Sequence, residues 1–360
     1  MRILVFSSYA RDTGSWVRMF HLAKSLERYG RAELVAALPR CLPLRLDLAL
    51  SLPWYLARAL LTRADVLIAG KPFPNTALPL LLARWLRGKT IVLDFDDLDH
   101  GYVSGLAARL IAAAQKPFPR RFDLVTYHHD ALRAFLGQRL GVPEKRLYQL
   151  AQGVDLERFR PAGPPAAAAG LFFMGHLDAA SNLATILEAV AIVQQTRDVE
   201  LTVVGGGRLE GAFRAMAKAA RLRVRFTGWL PVARAARELE RAAVCLVYHA
   251  ETEANAHRCS MKLREYLAAA KKVVSNDHGE LARFTRFTYQ SSSGAAPYAR
   301  AIVAALDGSD GREHAGARHI RQTCDWAVLA ARFHERLAEL HGRRQDAGRP
   351  GAAGGQGERP

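Results

Sequence analysis

The chain has 360 residues, enough for two domains with separate cores, and carries a formal net charge of +17. That excess attracts polyanions: nucleic acid, anionic lipid headgroups or phosphorylated small molecules. Its arginines are scattered, and no zinc-finger spacing or aromatic RNA-binding signature accompanies them, which argues against a specific nucleic-acid partner. Cys41, Cys245, Cys259 and Cys324 are widely spaced without a C-x-x-C, so neither a disulfide framework nor a zinc site is expected and a reducing cytosol fits.

Residues 2–8, dense in Ile, Leu, Val and Phe, predict a central parallel strand, too brief and wrongly flanked for a signal peptide. A loop with Gly14 leads into a helix closed by Gly30 and a strand over 32–38, a right-handed βαβ unit. Gly14 and Arg18 fall where loop meets helix, the rim at which α/β folds place ligands; the alternative is a turn glycine and a solvated arginine. The most apolar window, 42–61, contains Pro43, Arg45, Asp47, Pro53 and Arg58, so a proline-broken helix is expected instead of a membrane span.

A strand over 64–69, an apolar helix (ALPLLLARWLRG) and a strand over 89–93 lead to Asp94, Asp96, Asp97, Asp99 and His100. A D-x-D can hold a divalent cation, but hard-cation sites need additional oxygen ligands and loops after parallel strands are acidic for many reasons, so no metal is expected. A helix over 105–115 and a strand over 123–127 precede His128 and His129, read as a polar helix opening in preference to acid–base or metal-binding groups. A short strand follows over 147–150.

PAGPPAAAAG, residues 161–170, reads as a linker. A second βαβ series follows: the strand LFFMG, a helix with apolar residues at i, i+3, i+4 and i+7, and LTVVGGG ending in Gly205, Gly206 and Gly207. Such glycines let backbone amides approach a diphosphate; without an acidic residue about twenty positions on, the dinucleotide fingerprint of hydride transfer is not met. VRFTGWLP, RAARELERAA and AVCLVYHA read as strand, helix and strand.

The stretch CSMKLREYLAAAKKVVSNDHGE from Cys259 predicts a helix with Ser260 as N-cap, then a strand. Lys262 and Glu265, three apart, share a helix face; with the free amides of the first turn they suit a diphosphate and two vicinal ribose hydroxyls. The ordinary alternative is a capped helix with a wet polar face. FTYQ reads as a strand, a helix ends near Asp307, a long C-terminal helix spans 314–340, and the tail from Gly342 has nothing to bury and is expected to be disordered.

With these motifs, the chain resembles the retaining glycosyltransferases of family four in the GT-B class, from residue 1 to about residue 340. The resemblance is carried by TGSWVRMFHLAKSL, AQGVDLERF, MGHL, VVGGG, FTGWL and SMKLREYLAAAKKVV, the last being specific when GVDLERF precedes it at this distance. It implies an α/β protein with two Rossmann-like domains facing a central cleft. Residues 1–160 would form the acceptor side and 171–341 the nucleotide-sugar side, with a linker at 161–170 and a disordered tail over 342–360. The implied activity is transfer of a hexose from a nucleoside diphosphate sugar to a hydroxyl of a glycan or lipid-linked acceptor, without a cofactor or metal.

Donor-binding positions implied or suggested are Gly14, Arg18, His176, Gly205, Gly206, Gly207, Arg208, Lys262 and Glu265, the last on the ribose. The chain departs from the family in three places. The glutamate eight positions before Glu265 is His257, with Glu251 and Glu253 in the same loop. The arginine and lysine that neutralise the diphosphate are His176 and Asn182, which leaves more to Lys262, with Arg208, Arg258 or Arg264 as helpers. A histidine of the N-terminal domain aligns with Asp96. Asp96 and His257 are therefore the catalytic candidates.

The missing Arg/Lys pair also admits a catalytically weak relative that binds a nucleotide sugar as regulator or partner subunit. A sugar-epimerising or phosphorolytic GT-B enzyme is a second rival. The basic amphipathic segment over 48–63 implies a cytoplasmic protein resting on an anionic membrane face, or else a helix that simply packs on the sheet.

Overall fold

The computed structural model describes residues 1–9, 14–36, 46–102, 105–161 and 170–347. Strands covered on both faces must be largely apolar, and those at the centre of the first sheet are, with VLIAG in one and IVL in the next. That sheet comprises β1 (Arg2–Ser7), β2 (Arg31–Val35), β3 (Val66–Gly70), β4 (Thr90–Asp94), β5 (Leu124–Tyr127) and β6 (Leu147–Gln149). All pairs are parallel, in the order β2-β1-β3-β4-β5-β6. The connecting helices are α1 (Gly14–Leu26), α2 (Leu46–Leu61), α3 (Pro74–Arg87), α4 (Gly105–Gln115) and α5 (Asp130–Ala134).

The helix α1 buries Met19, Leu22, Ala23 and Leu26. The expected break at Pro53 does not occur: α2 runs through it, buries Ser51, Tyr55 and Ala59, and packs on α3. Residues 37–45, where that helix was expected to begin, lie outside the described residues. His129 does open a helix, its Nδ1 accepting from Ala131 N at 3.2 Å.

The second sheet comprises β7 (Gly170–Met174), β8 (Glu200–Val204), β9 (Val224–Gly228), β10 (Val244–Leu246), β11 (Lys272–Asn276) and β12 (Tyr289–Ser291). Its order is β12-β11-β10-β7-β8-β9, all parallel, the arrangement of a nucleotide-binding Rossmann sheet. The helices α6 (Leu183–Val193), α7 (Glu210–Ala219), α8 (Val232–Glu240), α9 (Glu253–Ala256), α10 (Met261–Ala268), α11 (Ala295–Asp307) and α12 (Arg312–Thr323) accompany it. Two apolar clusters cover its faces, one centred on α6 and α11, the other on α8 and α10.

The C-terminal helix expected over 314–340 is two helices. After α12 the chain turns at Cys324 and Asp325 and continues as α13 (Trp326–Ala347). Trp326, Leu329, Ala330, Phe333 and Leu337, one helical stripe, are buried. They belong with the first sheet: Phe333 meets Tyr148 with ring centroids 5.5 Å apart, His341 Nδ1 lies 3.2 Å from Thr90 Oγ1, and Arg344 pairs with Asp123 at 3.0 Å.

The chain therefore divides into Met1–Asp96, Ala112–Leu150 and Trp326 onward as one unit, and Asp97–Ile111 with Ala151–Asp325 as the other. The expected boundaries near 160 and 341 move to Leu150 and Asp325. Where the chain enters and leaves the second unit, Val154 N donates to Cys324 O at 2.8 Å. Of the expected linker, 162–169 lies outside the described residues; of the expected tail, 342–347 is helical and 348–360 lies outside them. No helix among the described residues is long and apolar enough to cross a membrane.

Candidate functional site

Open parallel sheets hold ligands outside the carboxyl ends of their strands, where the strand order reverses. In the second unit that point lies between β7 and β10. The loops leaving β7 and β8 are zipped together there: Gly175 N donates to Val204 O at 2.9 Å, Leu177 N to Gly206 O at 3.0 Å and Leu209 N to Leu177 O at 2.9 Å. This approach leaves no room for side chains. A Cβ on Gly205 would stand 1.9 Å from Gly175 O, and one on Gly207 would stand 2.5 Å from Leu177 O. The three glycines thus answer first to the neighbouring loop.

Over this floor lies α10. Ser260 caps it, its Oγ accepting from Leu263 N at 3.3 Å. A buried carboxylate fixes its start: Glu280 Oε2 accepts from Ser260 N at 3.1 Å and from Arg264 Nη1 at 2.9 Å, while Oε1 takes the other Arg264 nitrogen. The two side chains are only 4% and 2% exposed. Arg264, expected as a helper at the diphosphate, is instead the internal brace of this helix.

Lys262, half-buried, lies with Nζ 4.2 Å from the centroid of the Phe173 ring, and a Cβ on Gly175 would stand 2.9 Å from that nitrogen. Burial first, then the charge of Arg258, lowers the Lys262 ammonium to about 7, against the opposing pull of Asp178 and Glu265. Burial likewise raises the Glu265 carboxyl to about 7, opposed by Lys262 and assisted by Asp155. Burial thus weakens the charged form of both, and each partly restores the charge of the other.

The other expected positions of this unit lie on the loops after β7 and β8 and around α9. His176, exposed, meets Trp229 edge to face at 4.6 Å, and Trp229 is itself 59% exposed. Arg208 is exposed beside Gly207. Arg258 Nη1 donates to Ala180 O at 2.6 Å, and Asn182 Nδ2 to Tyr248 O at 3.2 Å, tying the loop after β7 to the end of β10. His257 closes α9, its Nδ1 2.8 Å from Glu253 O.

Trp229 and His249 were not anticipated. His249 lies past β10, 2% exposed, its amide donating to Asn276 Oδ1 at 2.9 Å and its carbonyl accepting from Asn276 Nδ2 at 2.7 Å. Burial, reinforced by Arg258 and Lys262, pushes its ring pKa well down, so it is neutral. The run AVCLVYHA hid it as one more strand residue.

Gly14, Arg18 and Asp96 belong to the first unit. Gly14 begins α1 with open space around it. Arg18 is 1% exposed: Nε and Nη2 donate to Asp94 at 2.8 and 2.9 Å, and Nη2 also to Leu150 O at 2.9 Å. Thr126 Oγ1 donates to the same carboxylate. Neither the solvated helix residue nor a rim group describes Arg18, which binds α1 to the sheet. Asp94 is equally committed to this ion pair.

Asp96 stands among Lys71 Nζ at 4.0 Å, His128 Nε2 at 3.9 Å and Ser15 Oγ at 3.5 Å. Burial alone would raise its carboxyl, but Lys71, Arg18 and His128 outweigh that and hold it below the usual range. It is an anion held beside the Lys71 ammonium at the carboxyl ends of β3 and β4.

The sequence of residues 8–158 matches the model of Glycosyltransferase Family 4, and residues 168–307 match that of Glycosyl transferases group 1. The chain is a group 1 glycosyltransferase. This glycosyltransferase has no match among curated proteins. Its fold recurs in solved structures. Sucrose-phosphate synthase from Thermosynechococcus elongatus aligns at TM-score 0.78 and 15% identity, covering 95% of this chain and 100% of that one. Anabaena HepE, solved with UDP and glucose, aligns at TM-score 0.73 and 14% identity over 94% and 99%. A glycosyltransferase from Rickettsia africae aligns at 0.72 and 12% over 94% and 98%.

Proposed function

We propose that this glycosyltransferase moves a hexose from a nucleoside diphosphate sugar to a hydroxyl of a glycan or lipid-linked acceptor, with retained configuration, at the cytoplasmic face of an anionic membrane. The observation that carries the donor half is the placement of Lys262 and Glu265 on one capped helix at the reversal point of a Rossmann sheet. HepE, of the same fold, was solved with UDP-glucose, which supports a nucleotide-sugar donor here.

In this reading Glu265 accepts from the ribose hydroxyls, while Lys262 and the amides of α10 face the diphosphate. As the sugar–phosphate bond breaks, negative charge grows on the leaving oxygen, and fixed cations and amides stabilise it. The acceptor hydroxyl forms the new bond to the anomeric carbon and gives its proton to the departing phosphate. No side chain is needed as strong base, consistent with the lowered pKa of both Asp96 and His249, which makes each a weak one.

Thermal shift with UDP and UDP-glucose, followed by a transfer assay, tests the assignment. Glu265→Ala is expected to abolish the nucleotide-induced shift; normal turnover in that variant would contradict it. One observation favours a second reading. Asn182 holds the place of a family lysine, and its side chain is engaged with Tyr248 O. A binder with little turnover is the result, recognised by a nucleotide shift without donor hydrolysis or transfer.

A further inference from the structure

We propose that the outward faces of α2 and α3, with an arginine pocket at their C-terminal ends, form the surface by which the chain docks on an anionic phospholipid bilayer, a lipid phosphate entering the pocket. The inference rests on the membrane reading above and names the residues that would carry it.

Three observations in the first unit bear on it. Opposite its buried face, α2 exposes Leu50, Pro53, Trp54, Ala57 and Leu61. Their spacing of i, i+3, i+4, i+7 and i+11 makes one uncharged stripe. On the adjoining α3, Leu78 is 45% exposed, Trp85 79% and Leu86 52%. Single exposed apolar side chains need no explanation, but this many on two helices packed together do.

Beside Trp85 lies a cavity of about 450 Å³ walled by Arg84, Arg120, Arg121, Arg146 and Arg344. One carboxylate, Asp123, serves both Arg84 and Arg344, each at 3.0 Å. Arg146 Nη1 donates to Arg120 O at 2.8 Å. The side chains of Arg120 and Arg121 are exposed and make no hydrogen bond or ion pair among the described residues. Five guanidinium groups around one carboxylate leave a strong positive excess, and their planar forks match phosphate oxygens.

Position separates this pocket from the catalytic side. Asp123 immediately precedes β5 and Arg146 immediately precedes β6, so the pocket opens at the amino ends of the strands, whereas Asp96 and Lys71 stand at the carboxyl ends. The same edge receives the C-terminal turns of α2 and α3, which run back to begin β3 and β4. Trp85 is therefore placed as an interfacial ring, with cations at headgroup depth and apolar stripes toward the acyl chains. A copy related by a twofold axis would set the same cations against each other, whereas a bilayer brings the opposite charge.

Flotation of the full chain with vesicles of phosphatidylcholine alone, or with added phosphatidylglycerol, tests the proposal. Binding is expected only to the anionic vesicles and is expected to weaken as salt rises. Arg120→Glu with Arg121→Glu is expected to lower vesicle affinity by about thirtyfold or more, and Trp85→Ala to lower it as well. Both variants should keep the wild-type melting temperature and UDP shift. If wild-type protein ignores anionic vesicles, this surface and the membrane reading both fall. If the double variant binds them as well as wild type, this surface alone falls. A melting shift with inorganic phosphate that the double variant loses, without vesicle binding, assigns the pocket to soluble phosphate and overturns the lipid proposal.

Discussion

At the scale of single residues, Lys262 is the group whose chemistry can be read most directly. Its ammonium is lowered to about 7 in the unliganded protein. A diphosphate laid against it favours the charged form, so nucleotide binding above about pH 7 should take up close to one proton. Affinity then falls as pH rises through that value. Calorimetry in two buffers of different ionisation enthalpy measures the uptake, and Lys262→Met should abolish it. Glu265, raised to about 7, acts on stability: the folded state binds its proton more tightly, so its contribution declines as pH rises from about 4.5 to 7. That Lys262 and Glu265 share a helix face was legible in the sequence, because three-residue spacing fixes it. Arg18 and Arg264 were not, since what decides their roles is a carboxylate elsewhere: Asp94, 76 positions away, and Glu280, 16 positions away. Gly205→Ala, with a Cβ aimed 1.9 Å from a carbonyl that cannot swing aside, is expected to lower the melting temperature and to weaken UDP binding.

At the scale of elements, the brace under α10 is the decisive contact. Arg264→Met would strand Glu280 in a dry site, and a loss of about 3–5 kcal/mol in unfolding free energy is expected by denaturant titration. Adding Glu280→Met should restore much of it, because an apolar pair of similar volume avoids the unpaired charge. Strands and helices themselves were legible where apolar runs and helical periodicity are strong, as in β3, β4 and α6. The split between α12 and α13 was not, because neither Cys324 nor Asp325 is a glycine or proline; only the packing of the helix that follows reveals it. The unbroken α2 is the reverse case: burial of Tyr55, whose hydroxyl donates to Ser7 O at 2.5 Å, holds the helix across Pro53.

At the scale of the whole molecule, the two sheets and their parallel order were within reach of the sequence, and the allotment of the last helix was not. A chain ended at Asp325 would leave the first unit without Phe333 and Leu337, both fully buried. Such a protein is expected to lose one cooperative melting transition while keeping the nucleotide-induced stabilisation of the second unit, which calorimetry with and without UDP can resolve. The return of α13 also sets an order in time. All of Ala151–Asp325 is translated before the helix that covers the first sheet, so the second unit can finish folding while the first still waits for its lid of Phe and Leu.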